Sequence, residues 1–136
     1  MVEENSETIA CVIMEPIVSS FGYTPANLEY LEFVREITTR LGIVLIYDEV
    51  QTGIGITGKM WAHETLNVKP DIISFGKKTQ VCGMLAGDRI YNMKENVFKE
   101  SSRINSTFGG NLVDMYRFKL ILEIMCNENL FSNVNA

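Results

Sequence analysis

The hydrophobic and polar positions of this 136-residue chain change period several times, and each change predicts an element. Residues 9–14, IACVIM, form a six-residue apolar run, too short for a helix alone and rich enough in Val and Ile for a buried strand. Leu28, Leu31, Val34, Ile37 and Leu41 then recur every three or four positions with charges between them, which is one face of an amphipathic helix. Asn27 is placed to cap its start and Gly42 to stop it. A second buried strand is expected at 43–48, IVLIYD, followed by a Gly-rich turn and a short helical piece around 60–66. Pro70 precedes a third strand at 71–75, DIISF, and MLAG at 84–87 is a candidate fourth. From about Asn111 a longer helix follows, with Leu112, Met115, Leu122 and Met125 on roughly one stripe.

Strand, helix, strand, helix, strand is a pair of βαβ units, so the fold class is α/β, with a mainly parallel sheet and right-handed crossovers. No internal repeat, low-complexity segment or linker divides residues 1–136, which read as a single domain. A formal net charge of −5 gives the chain no bulk attraction for nucleic acid or an anionic membrane surface. Its apolar runs fall far short of a bilayer span. The first ten residues, MVEENSETIA, are acidic where a signal peptide is basic. Three widely spaced cysteines (Cys11, Cys82, Cys126) and one histidine (His63) offer no metal-type spacing, so no metal site is expected and the setting reads as reduced and cytoplasmic.

The candidate chemistry lies where the strands run out. The first strand ends at Glu15, the second at Asp48 and Glu49, and the third, after Gly76, at Lys77 and Lys78. Ligands of open α/β sheets bind beyond the carboxyl ends of the strands. An acid and an amine brought together there form a chemical constellation, because desolvation lowers a lysine's pKa and frees its amine to attack a carbonyl. The plainer alternative is a structural ion pair, and spacing alone leaves both open. GIGITGK, 53–59, has the spacing of a nucleotide-binding P-loop, but Met60 stands where that loop needs a magnesium-ligating hydroxyl. Trp61, Phe75 and Phe108 read as core, His63 as a packing residue and Cys82 as structural.

Taken together, EPI (15–17), DEVQTG (48–53), TGKMWAHE (57–64), FGKKTQVCG (75–83) and SRINSTFGGNL (102–112) resemble the class III aminotransferases, pyridoxal 5'-phosphate enzymes of fold type I. The resemblance implies that Asp48 holds the pyridine nitrogen of the cofactor. It implies that Lys77 carries the cofactor covalently and then shuttles a proton, Lys77 rather than Lys78 because the small residue that precedes the family's lysine is Gly76. Val50 would pack on one face of the ring, and Gln51 would hydrogen-bond its phenolic oxygen beside the substrate. Thr107 would reach the cofactor phosphate of a neighbouring subunit in a homodimer with shared active sites, and Asn105 would touch substrate. The implied substrates are L-lysine, or another ω-amino compound such as 4-aminobutyrate, and 2-oxoglutarate. For L-lysine the products would be 2-aminoadipate 6-semialdehyde and glutamate. The rival of another class is a non-catalytic interaction module.

Two departures from the family pattern qualify these expectations. After Glu15-Pro16-Ile17 the family usually reads Gln, Gly or Ser, Glu, Gly, Gly, whereas this chain reads Val18, Ser19, Ser20, Phe21, Gly22. Ser20 therefore replaces the acid that in the family pairs with a distant arginine and lets one pocket take both substrates. The resemblance also covers only a central slice of the large domain. The phosphate-cradling loop upstream and the small domain downstream are absent, and the slice alone is expected to show no significant turnover.

Overall fold

The computed structural model describes residues 2–20, 22–104 and 109–135. Its strands are β1 (Cys11–Met14), β2 (Ile17–Val18), β3 (Thr24–Pro25), β4 (Val44–Asp48), β5 (Ile72–Phe75) and β6 (Gly83–Ala86). β1, β4, β5 and β6 form one sheet in that order, and β2 pairs with β3 in a small separate hairpin. The first three strands of the sheet run parallel, linked through α1 (Leu28–Arg40) and α2 (Ala62–Leu66), as the two βαβ units predict. The fourth differs. β6 runs antiparallel to β5 with Gly83 opposite Phe75, because the connection between them is too short for a crossover and folds straight back.

The α1 boundaries follow from their caps. Asn27 Oδ1 accepts from the Tyr30 amide at 3.3 Å, and Gly42 takes a φ of +74°, a left-handed conformation that glycine adopts without steric cost. Leu31, Val34 and Ile37 turn inward, but Leu28, in the first turn, stays exposed. Leu31 and Val34 meet Leu45 and Tyr47 of β4, Ile73 of β5 and Val68 in one core cluster. Strand alternation sends Ile13, Ile46, Ile72 and Ala86 to the other face, where the register lines them up in a row across the sheet. On that row Ile46, Ile72 and Ala86 are half-buried, and Ile13 is 62% exposed.

The amino edge of the sheet is closed by Asp71, 8% exposed. Its Oδ2 accepts from the Leu45 amide at 2.8 Å and lies 3.1 Å from the Arg35 guanidinium and 3.0 Å from Arg89 Nη1. Arg89 belongs to α3 (Asp88–Tyr91) and Arg35 to α1, so this one carboxylate ties β4 and β5 to two helices.

The last helix, α4 (Leu112–Asn127), starts where the sequence places it, with Asn111 Oδ1 accepting from the Val113 amide at 2.9 Å. Only the second half of the expected stripe packs. Leu112 is 84% exposed and Met115 is also exposed, while Phe118, Ile121, Leu122 and Met125 are half-buried. Phe118 reaches Phe75 with ring centroids 5.9 Å apart, and Met125 lies beside Gly55. α4 is apolar nearly all round, so periodicity alone does not single out its contact face. No described helix is long and apolar enough to cross a membrane.

Candidate functional site

The carboxyl ends of β1, β4 and β5 meet at a small cleft of about 200 Å³ lined by Glu15, Ser19, Asp48, Val50, Gln51 and Lys77. One ionisable side chain from each of the three predicted strand ends therefore reaches the same place. Asn105 and Thr107 lie outside the described residues.

Asp48 ends β4 on the half-buried face of the sheet. Its Oδ1 accepts from the Val50 amide at 3.0 Å and from the Ser74 hydroxyl at 3.1 Å. Among the described residues its Oδ2 has no hydrogen-bond partner, so the carboxylate is oriented through one oxygen and free through the other. Glu49 goes the opposite way. It is 1% exposed, and its carboxylate accepts from the Ala62 amide at 2.6 Å, the His63 amide at 3.1 Å and the Thr52 hydroxyl at 3.3 Å. His63 Nδ1 lies 3.0 Å from Glu49 Oε1. Glu49 thus fills the amino terminus of α2 and binds the histidine, which agrees with a packing role for His63 and removes Glu49 from the cleft.

The two lysines also separate. Lys77 is exposed, lines the cleft, and holds a φ of +52°. That left-handed conformation costs a non-glycine residue about 1–2 kcal/mol. It opens a 3₁₀ turn over Lys77–Thr79 that is closed by the Gln80 amide on the Lys77 carbonyl at 3.0 Å. Lys78 points away, and its Nζ donates to the Gln51 carbonyl at 2.6 Å. Burial, and then the charge of Lys77, pull the Lys78 pKa below the usual lysine value. Before the turn, a Cβ on Gly76 would sit 3.0 Å from Cys82 Sγ and 3.6 Å from Val50 Cγ1. A small residue here lets the turn close down on the residues after β4.

Three further residues of this region were not singled out from the sequence. Ser74 orients Asp48. Ser19 donates its amide and hydroxyl to Glu15 Oε2 at 3.0 and 2.8 Å. Those two bonds, with a smaller contribution from the charge of Lys77, hold the Glu15 carboxyl below its usual pKa. Tyr23, at the β2–β3 turn, accepts from Gln51 Nε2 at 3.3 Å. Ser74 had a visible signal, being the one polar residue within the strand IISF and two positions from the strand's first facing residue. Ser19 and Tyr23 had none, because a two-residue hairpin leaves no periodicity. Ser20 is exposed beside Ser19. Among the described residues no cluster of His, Cys, Asp and Glu could hold a metal ion. Residues 53–59 sit in turns, with Gly55 and Gly58 both at positive φ.

Comparison with known proteins gives the chain a family. The family model described as Aminotransferase class-III matches residues 1–136. The chain is 48% identical over 129 residues to an L-lysine-epsilon aminotransferase of Mycobacterium bovis, covering 95% of this chain and 29% of the relative. A Streptomyces clavuligerus protein of the same description is 45% identical over 126 residues, covering 93% and 28%. A solved lysine aminotransferase of Mycobacterium tuberculosis, in its internal aldimine form, superposes with a TM-score of 0.89 at 48% identity, over 96% of this chain and 30% of that one. The chain therefore spans less than a third of the length of these relatives.

Proposed function

Because the chain belongs to the class III aminotransferase family, whose model matches it from residue 1 to 136, we propose that it is the central part of the large domain of a pyridoxal 5'-phosphate transaminase. In this reading the enzyme moves the terminal amino group of L-lysine to 2-oxoglutarate. The observation that carries the reading is the cleft where Asp48, Val50, Gln51 and Lys77 converge at the carboxyl edge of a parallel sheet. Relatives named for lysine-epsilon transfer, at 48% and 45% identity, support the choice of L-lysine.

The residues present fit the cofactor by their chemistry. An oriented carboxylate with one oxygen free suits a protonated ring nitrogen, an apolar β-branched residue suits a ring face, an amide side chain suits a phenolic oxygen, and an amine suits an aldehyde. When bound, pyridoxal 5'-phosphate supplies an electron-withdrawing ring that takes up the electron pair left on the substrate carbon after proton loss. Asp48, steadied by Ser74 and the Val50 amide, keeps the proton on the ring nitrogen. Val50 would pack on one face of the ring, and Gln51, itself bonded to Tyr23, would hydrogen-bond the phenolic oxygen. Lys77 Nζ would hold the cofactor, and its amine, once released, would carry the proton between the substrate carbon and the cofactor carbon. Thr107, from a neighbouring subunit, would hold the cofactor phosphate, and Asn105 would contact substrate, which makes the enzyme a homodimer. A cytoplasmic setting completes the reading, supported by three exposed cysteines without disulfides among the described residues.

Borohydride reduction of the protein with pyridoxal 5'-phosphate, followed by peptide mapping, tests the reading together with a lysine and 2-oxoglutarate assay on the product of the full reading frame. A pyridoxyl group on Lys77 and turnover with L-lysine are expected. Label on Lys78 alone, or no label, would overturn the site. Turnover with 4-aminobutyrate but not lysine would overturn the substrate.

A further inference from the structure

The cleft holds two carboxylates and a single cation. Asp48 already has a place in the proposed reaction, and Glu15 does not. Glu15 follows β1, on the far side of β4 from Lys77, and both side chains line the same 200 Å³ space. Its Oε2 is committed to the Ser19 amide and hydroxyl. Its Oε1 has no hydrogen bond among the described residues. Two donors on one oxygen fix the carboxylate in direction and keep it ionised, while Lys77 makes no ion pair of its own among the described residues.

We propose that Glu15 is a positioning residue for Lys77: its carboxylate, anchored by Ser19, is the counter-charge that draws the free Lys77 ammonium back over the cleft between covalent attachments. The proposal rests on the reading of Lys77 as the cofactor lysine. Such a lysine alternates between a bound state and a released amine, and the released amine needs a fixed partner to return to the same position. Asp48 is the weaker candidate, because the proposed ring nitrogen occupies it during the same interval. The other charged or titratable groups facing the pair are Asp48 from β4, Lys78 from the turn after β5, and Tyr23 from the β2–β3 hairpin, which touches Gln51. Lys78 is held by the Gln51 carbonyl and repels Lys77, which leaves Glu15 as the group that offsets it.

The test reads the amine directly in cofactor-free protein. The rate of Lys77 acylation by a small amine-reactive reagent is followed against pH, with tandem mass spectrometry separating Lys77 from Lys78. A nearby carboxylate favours the protonated, unreactive amine. Glu15→Gln should therefore speed Lys77 labelling about threefold at a fixed neutral pH, the ratio expected of a partly solvated charge pair, and leave Lys78 unchanged. Glu15→Asp retains the charge with a shorter reach and should fall between the two, which keeps the test usable if the amide variant does not fold. Lys77 profiles identical in wild type and either variant would overturn the proposal. Failure of the parent reading looks different: the labelling rate would respond to Glu15 while pyridoxal 5'-phosphate failed to attach to Lys77.

Discussion

The two edges of the sheet carry the same ingredients and use them in opposite ways. At the amino edge, Asp71 meets two arginines and a backbone amide on one oxygen, and the cluster is closed among protein groups. At the carboxyl edge, Asp48 spends one oxygen on Val50 and Ser74 and keeps the other free. Lys77 there stands without an ion pair among the described residues. Acid and base in proximity do not by themselves mark a site. The mark is a charged group held in direction without a counter-charge from the protein, since a carboxylate paired with two arginines, like Asp71, is already neutralised within the structure. The neighbours Asp48 and Glu49 show the same contrast within two residues, one open to the cleft and one saturated inside.

The comparison breaks most visibly if the open edge turns out to be structural. Lys77→Ala should abolish cofactor attachment and lower turnover by roughly 10³-fold or more, whereas Lys78→Ala should keep the attachment on Lys77. Equal losses in both variants would mean that the turn, not the amine, matters. Asp48→Asn comes next. Turnover should fall by about 10²-fold, as when one preorganised charge is removed from a reacting centre. The urea midpoint should barely move, because Asn can still accept from Val50 and Ser74.

The closed edge should behave in reverse. Asp71→Asn leaves two partly buried arginines without their counter-charge and should cost about 3 kcal/mol of stability in urea unfolding, with activity per folded molecule unchanged. Glu49→Gln should cost about 2 kcal/mol, since an amide serves the α2 amides and His63 less well than a carboxylate does. An activity loss larger than the stability loss in either variant would erase the distinction between the edges.

This contrast explains what could be read in advance. β1, β4 and β5 were legible as short apolar runs, and α1 from apolar residues recurring every three or four positions. That Glu15, Asp48 and Lys77 share an edge followed from the parallel connections alone. The division between Asp48 and Glu49 was not legible, since the ladder ends at Asp48 and the direction of the next side chain is set by Ala62 and His63, thirteen and fourteen residues on. The Arg35–Asp71–Arg89 cluster joins three distant segments and leaves no local trace. The preference for Lys77 over Lys78 came from resemblance. The structure adds a physical ground for it, because the Gln51 carbonyl engages Lys78 and leaves Lys77 in the cleft. α4 misled for the opposite reason, as a helix apolar on most sides carries no preferred stripe.

The smallest expected effect sits between the edges, at Tyr47. Its ring is fully buried in the core cluster, yet its hydroxyl has no hydrogen-bond partner among the described residues. Here a polar group is unspent with no space around it, which is neither the open edge nor the closed one. A buried unsatisfied hydroxyl is a cost, so Tyr47→Phe should stabilise the protein at neutral pH by about 1 kcal/mol. Burial, with a smaller push from Glu49, raises the Tyr47 pKa to about 12. The sign of the pH effect follows: above pH 10 the unfolded chain loses this proton while the folded one keeps it, so stability declines from pH 10 through 12. Tyr47→Phe should remove that part of the alkaline decline, and unfolding midpoints at pH 8 and 11 measure it. If the phenylalanine variant is instead less stable at pH 8, the hydroxyl has a partner, and the centre of the sheet joins Asp71 and Glu49 among the groups paired within the protein.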